Sequence, residues 1–182
     1  MDIRFQTGGP SAWKAEAVLT FVFEGEGPDE ACHVLEQAAP WLGIAPAWRD
    51  FKGKKRELAT LYGPPAMDIP HVQAVGLGRR EALTAVDLRY AVGGAVRLCR
   101  EQGAADVGID LASLGRVAPV LDRDLAALAR EVVLAALLGL YRYDRWLSDR
   151  AELPADPARL FLLVDDEFAP DAVRDAVRLG EA

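Results

Sequence analysis

The chain has 182 residues, 51% hydrophobic and 27% charged, a composition that suits one folded domain and excludes disorder. A net charge of −7 and a pI near 4.9 argue against a sequence-independent grip on nucleic-acid phosphate. No basic head, apolar run and cleavage site open the chain, so no export signal is read and a cytoplasmic location, off the membrane, is expected.

Met1 to Gln6 alternates apolar and polar residues as a short strand does. Val18 to Phe23 is β-branched and aromatic, a second strand. Pro28 suits a helix start, and Cys32, Leu35 and Ala39 then share one side until Pro40 ends the helix. Ile44 to Arg56 is the one dense basic patch, with Trp48 and Phe51 among Lys52, Lys54, Lys55 and Arg56. Aromatics among basic residues can bind nucleic acid, but in an acidic chain the patch reads as a solvated loop or hairpin tip. Gly53 would sit at its turn, and its lysines would protect a sheet edge.

Leu58 to Tyr62 and His71 to Leu77 are the third and fourth strands. Thr84 followed by Asp87 approximates a capping box, and the helix it opens carries Leu88, Ala91, Val92, Ala95 and Leu98 on one side as far as Gly103. Ala105 to Leu111 is the fifth strand, leading past Gly115 and Pro119. From Asp122 or Asp124 to Tyr143 the pattern is a helix without a charge between Val132 and Tyr141. Such a helix is too short to span a bilayer and is expected to be wrapped by protein, with Leu137 in the core. Its end, Tyr141 to Trp146, alternates rings and charges, as when arginines oppose the negative dipole end over packed rings. Leu160 to Val164 is a continuous apolar run, a strand buried on both faces. Pro170 to Ala182 is helical in pattern and stops without an end signal, as a cut would. Strands alternating with helices specify an α/β fold with a parallel or mixed sheet.

Chemistry-bearing residues are sparse. His33 and His71 lie on unrelated elements, no Gly-x-Ser-x-Gly elbow is present, and Asp165-Asp166-Glu167 points its side chains apart. Asp106, Asp110 and Asp165 at strand ends would have to be gathered by the fold to form a site. Gly76-x-Gly78 lacks a third glycine and reads as a tight strand-to-helix turn, and Gly93-Gly94 lies inside a helix, where it permits close packing. Cys32 and Cys99 match neither a metal knuckle nor a disulfide framework and read as reduced, buried thiols. No catalytic, cofactor-binding or metal residue is assigned.

Three motifs in this order resemble the N-terminal domain of the leucyl aminopeptidase (cytosol aminopeptidase) family. They are Phe51-Lys52-Gly53-Lys54 before Glu57-Leu58; Val75-Gly76-Leu77-Gly78 before Leu83-Thr84; and Leu138-Gly139-Leu140-Tyr141-Arg142-Tyr143-Asp144-Arg145. The resemblance implies a macro-domain-like, three-layer α/β arrangement, a mixed six-stranded sheet flanked by helices. It places the N-terminal α/β domain at 1–168 and the start of an interdomain linker helix at 169–182. The catalytic domain, with its two divalent zinc or manganese ions, would follow. The family's Asn-Thr-Asp-Ala-Glu-Gly-Arg metal signature is absent from these residues, so no site residue and no cofactor is carried over to this chain. The implied partners are its own C-terminal catalytic domain and sibling subunits of a cytoplasmic homohexamer that removes N-terminal residues from peptides. With no long exposed apolar stripe expected, the chain alone would be a monomer or weak dimer. The competing reading is a macro-like module binding ADP-ribose or a nucleotide, which requires glycine loops free to cradle phosphate.

Overall fold

A computed structural model describes residues 1–7, 9–142 and 153–164 of the chain. Within them six strands form one sheet: β1 (Asp2–Gln6), β2 (Ala17–Phe23), β3 (Leu58–Tyr62), β4 (His71–Gly78), β5 (Asp106–Asp110) and β6 (Arg159–Leu163). Their spatial order is β1-β6-β5-β2-β4-β3. Every neighbouring pair is parallel except β3 and β4, which run antiparallel. A short connection returns the chain beside β3, whereas the helices between β4 and β6 supply the crossovers that parallel pairing needs. The mixed six-stranded sheet with flanking helices is the expected fold.

Among the described residues five α-helices flank the sheet: α1 (Pro28–Ala31), α2 (Leu35–Ala38), α3 (Ala85–Glu101), α4 (Leu111–Val117) and α5 (Leu125–Leu140). Alternation along β2 sends Leu19, Phe21 and Phe23 into one core with α3, α4 and α5. Val18 and Val22 enter a second core with Trp13, Cys32, Leu35 and Phe51. β6 feeds both, Leu160 and Leu162 on one side, Phe161 and Leu163 on the other, as its unbroken apolar run requires.

Local capping chemistry sets the helix starts. Thr84 is the N-cap of α3 and accepts from the Asp87 N–H, and Asp124 does the same for α5 from Ala127. Three details differ from the sequence reading. The single helix expected from Pro28 to Pro40 is broken in two between Ala31 and Leu35, and Arg116 donates to the Ala31 carbonyl at the break at 3.2 Å. α4 was hidden behind Gly115; Asp110 starts it by accepting from the Ala112 and Ser113 N–H groups. Asp122 does not cap α5, since it adopts a left-handed conformation with φ 50°.

The fourth difference is larger. α5 is not wrapped on all sides: Leu128, Val132, Val133 and Ala136 are buried, but Leu138 is 71% exposed, Leu134 is exposed, and Leu137 is only half-buried. The reason is that α5 packs on α3 and the sheet, with nothing among the described residues on its outer side. Tyr141 does not pack beneath the helix end either. The backbone turns extended there, and the ring is exposed. Tyr143 to Trp146, Asp165-Asp166-Glu167 and the helix pattern at 170–182 lie outside the described residues.

Candidate functional site

Two of the three motifs meet at the ends of β2 and β4. The stretch from Phe51 to Glu57 lies against them as an irregular loop, with Gly53 and Arg56 both in left-handed backbone. Gly76 N–H donates to the Glu57 carbonyl and Gly78 N–H to the Gly53 carbonyl, each at 2.8 Å, while Arg56 N–H donates to the Gly76 carbonyl at 3.1 Å. A Cβ on Gly76 would collide with the Lys54 carbonyl, and one on Gly53, whose φ is 68°, with the Phe23 carbonyl. The glycines are there because two backbones touch. The Gly76 and Gly78 N–H groups are already donated to carbonyls, so Gly76-x-Gly78 forms no phosphate cradle.

The basic residues are similarly engaged. The Lys55 ammonium lies 2.8 Å from Asp87, which also accepts from the Thr84 hydroxyl at 2.8 Å. Lys55 and then Thr84 hold the Asp87 carboxyl below the usual carboxylate range. Lys52 donates to the Arg49 carbonyl, and Arg56 lies over the Tyr90 ring. The patch ties the loop to α3, as the loop reading of it allows.

Among the described residues the candidate acids and bases are not brought together. Asp106 pairs with Arg159. Asp110 is fully buried and accepts from Thr20, Ala112 and Ser113; burial pushes its carboxyl up. His33 is exposed on the loop between α1 and α2, and His71 packs edge-on against Tyr62. Cys32 and Cys99 are buried free thiols, pushed up to about 12 chiefly by burial. Among the described residues no group of three His, Cys, Asp or Glu could hold a metal ion. The donors at hand therefore do not fit the two-ion centre that the motifs imply for the family. The sequence reading missed a partly buried ionic node: the Glu26 carboxylate accepts from Arg116 at 2.8 Å, from exposed Arg80 at 2.6 Å and from the Phe23 N–H. Its members are far apart in the chain, and no local pattern marks them.

The described part of the third motif, Leu138 to Arg142, begins where α5 crosses α3. Gly139 packs against Gly93 with no room for a Cβ. Just beyond, buried Arg100 donates to the Leu140 carbonyl at 3.1 Å and reaches Asp156 at 3.3 Å, where Arg142 joins it. The arginine that caps the α5 terminus thus comes from α3.

The outer side of the same crossing is the candidate functional surface. Val86, Tyr90 and Leu138 are exposed there, with Leu134 exposed one turn before Leu138 on α5, an apolar stripe that the sequence reading did not expect. Between the two helices runs a groove of about 420 Å³ with Gly93, Gly94, Ala135 and Gly139 in its lining, walled by Tyr90 and Leu138 and edged by Arg89 and Arg97.

Comparison with known proteins gives one consistent picture. The model of the cytosol aminopeptidase family, N-terminal domain, matches residues 19–150. A "Probable cytosol aminopeptidase" of Nitratidesulfovibrio vulgaris is 50% identical over all of this chain and 36% of its own length. One of Desulfovibrio desulfuricans is 44% identical over all of this chain and 35% of its own. The chain thus spans about a third of the length of these relatives. Among solved structures, a tomato leucine aminopeptidase mutant matches 98% of the chain and 36% of its own at a TM-score of 0.68 and 14% identity. The bottromycin maturation enzyme BotP, in complex with Mn, matches 92% and 30% at 0.56 and 24%. At these identities both matches speak to the fold alone.

Proposed function

Because the chain belongs to the cytosol aminopeptidase family as its N-terminal domain, we propose that it is a non-catalytic assembly domain. It would support subunit association in a longer, cytoplasmic, metal-dependent enzyme that removes N-terminal amino acids from peptides. The N-terminal α/β domain would occupy 1–168, with a linker helix from 169 leading to a catalytic domain. That domain would hold the catalytic residues and two divalent ions, zinc or manganese, and form a homohexamer with its siblings.

One observation carries the assembly role: the apolar stripe of Tyr90, Leu134 and Leu138 over the α3–α5 groove, a surface of the kind that marks protein contacts. It is joined by the relatives' names and length. The nucleotide-binding alternative has lost its main support, since the Gly76 and Gly78 N–H groups are both donated to carbonyls.

Sedimentation velocity on the purified chain at micromolar concentration tests the assembly reading. A monomer or weak dimer is expected, because closure of the oligomer would rest on the larger part. A stable hexamer of this chain alone would overturn that division of labour.

A further inference from the structure

The α3–α5 groove has a charge that the chain as a whole does not share. The protein carries a net charge of −7, yet Arg56, Arg89, Arg97 and Arg130 are all exposed on or beside this face. Among the described residues Glu131 offsets Arg89 at 3.3 Å, and Arg97 and Arg130 enter no ion pair. Arg130, Leu134 and Leu138 stand one turn apart along α5, as do Val86, Tyr90 and Gly94 along α3. The result is a concave apolar floor with a cationic rim. Its shape suits the apolar edge of a helix better than a flat lipid surface. Its rim suits carboxylates and disfavours a second copy of the same face, which would set arginine against arginine.

We propose that the α3–α5 groove docks an acidic amphipathic helix, the segment through which the larger partner part of the enzyme engages this domain. Small or medium apolar side chains of that helix would enter between Tyr90 and Leu138 over the glycine floor. Glutamates or aspartates beside them would meet Arg97 and Arg130. This is helix-in-groove recognition, with apolar anchors for affinity and flanking charge for orientation and encounter rate. The proposal rests on the assembly reading and names the chemistry of its partner.

The probe is a synthetic helical peptide of about four turns, with alanine and leucine along one edge and glutamates on both flanks, labelled for fluorescence anisotropy. Its control carries lysine at every glutamate position, and a third arm uses phosphatidylserine–phosphatidylcholine vesicles. The acidic peptide is expected to bind saturably and more weakly as salt rises. Leu138→Asp and Arg97→Glu are each expected to raise Kd about tenfold or more, equivalent to about 1.4 kcal/mol. Lys54→Glu, on a loop outside the groove, should leave Kd unchanged. Both groove positions are exposed, and near-UV circular dichroism confirms that each variant is folded. Absent or non-saturable binding, equal binding of the lysine peptide, or preference for vesicles would overturn the proposal. So would self-association of the chain abolished by Leu138→Asp. The assembly reading fails separately, on a hexamer formed by the chain alone.

Discussion

Gly139 on α5 lies so close to Gly93 on α3 that a Cβ on Gly139 would stand 2.5 Å from the Gly93 Cα. The space is closed by backbone, which cannot swing aside as a side chain can. Gly139→Ala is therefore expected to destabilise the domain by about 1–3 kcal/mol, as overpacking does, despite the gain in helix propensity. Gly94, one residue from the contact, has only the Leu58 methyl at 3.9 Å near its would-be Cβ. Gly94→Ala should be neutral or stabilise by up to about 1 kcal/mol. Urea unfolding of the two variants measures both, and a stabilising Gly139→Ala would contradict the packing described.

α5 has two sides of opposite sensitivity. Val132 is fully buried in the core shared with α3 and the sheet, so Val132→Asp places an unpaired carboxylate where no water reaches it and should abolish cooperative folding. Leu138 is 71% exposed, and Leu138→Asp should shift stability by no more than about 0.5 kcal/mol. Thermal melts that rank the two variants the other way would mean that the helix is rotated.

The Lys55–Asp87 pair predicts a pH dependence. The folded carboxyl of Asp87 is held below its unfolded value by Lys55 and Thr84. Its contribution is therefore present above about pH 4, the usual aspartate range, and is lost as pH falls through the lower, folded value. Asp87→Asn should lower the melting temperature at pH 7, and the gap from the parent chain should close under acid. A gap independent of pH would show that the carboxylate's charge does not matter.

The thiols of Cys32 and Cys99, pushed up to about 12 mainly by burial, are protonated at neutral pH and closed to solvent. Neither should react with a thiol-specific disulfide reagent in the native protein at pH 8, and both should react in denaturant. Rapid native labelling of either would place it at the surface.

What could be read from the sequence was local or periodic. Thr84 with Asp87 marks its own helix start, and the apolar run from Leu160 names a strand buried on both faces. Gly76-x-Gly78 was read as a tight turn, whereas both glycines lie within β4, beside another stretch of backbone. The backbone that presses on Gly76 comes from Lys54 on another loop, which spacing alone does not reveal. Leu138 was misjudged for a related reason. Hydrophobic periodicity says which faces of a helix are apolar, and only the packing of its neighbours says which one is left bare. The Glu26–Arg116 node joins residues with no common pattern at all.

The proposed function predicts that this chain has no peptidase chemistry of its own. The direct measurement is incubation of the purified chain with a leucine-anilide substrate in excess manganese or zinc, beside a family-length aminopeptidase. Two-ion hydrolysis needs fixed ligands holding the metals about 3.5–4 Å apart, and Asp106, Asp110, His33 and His71 are held apart or already engaged. The account predicts release of anilide at the no-protein background, with or without metal. Turnover above that background, abolished by a chelator, would contradict it.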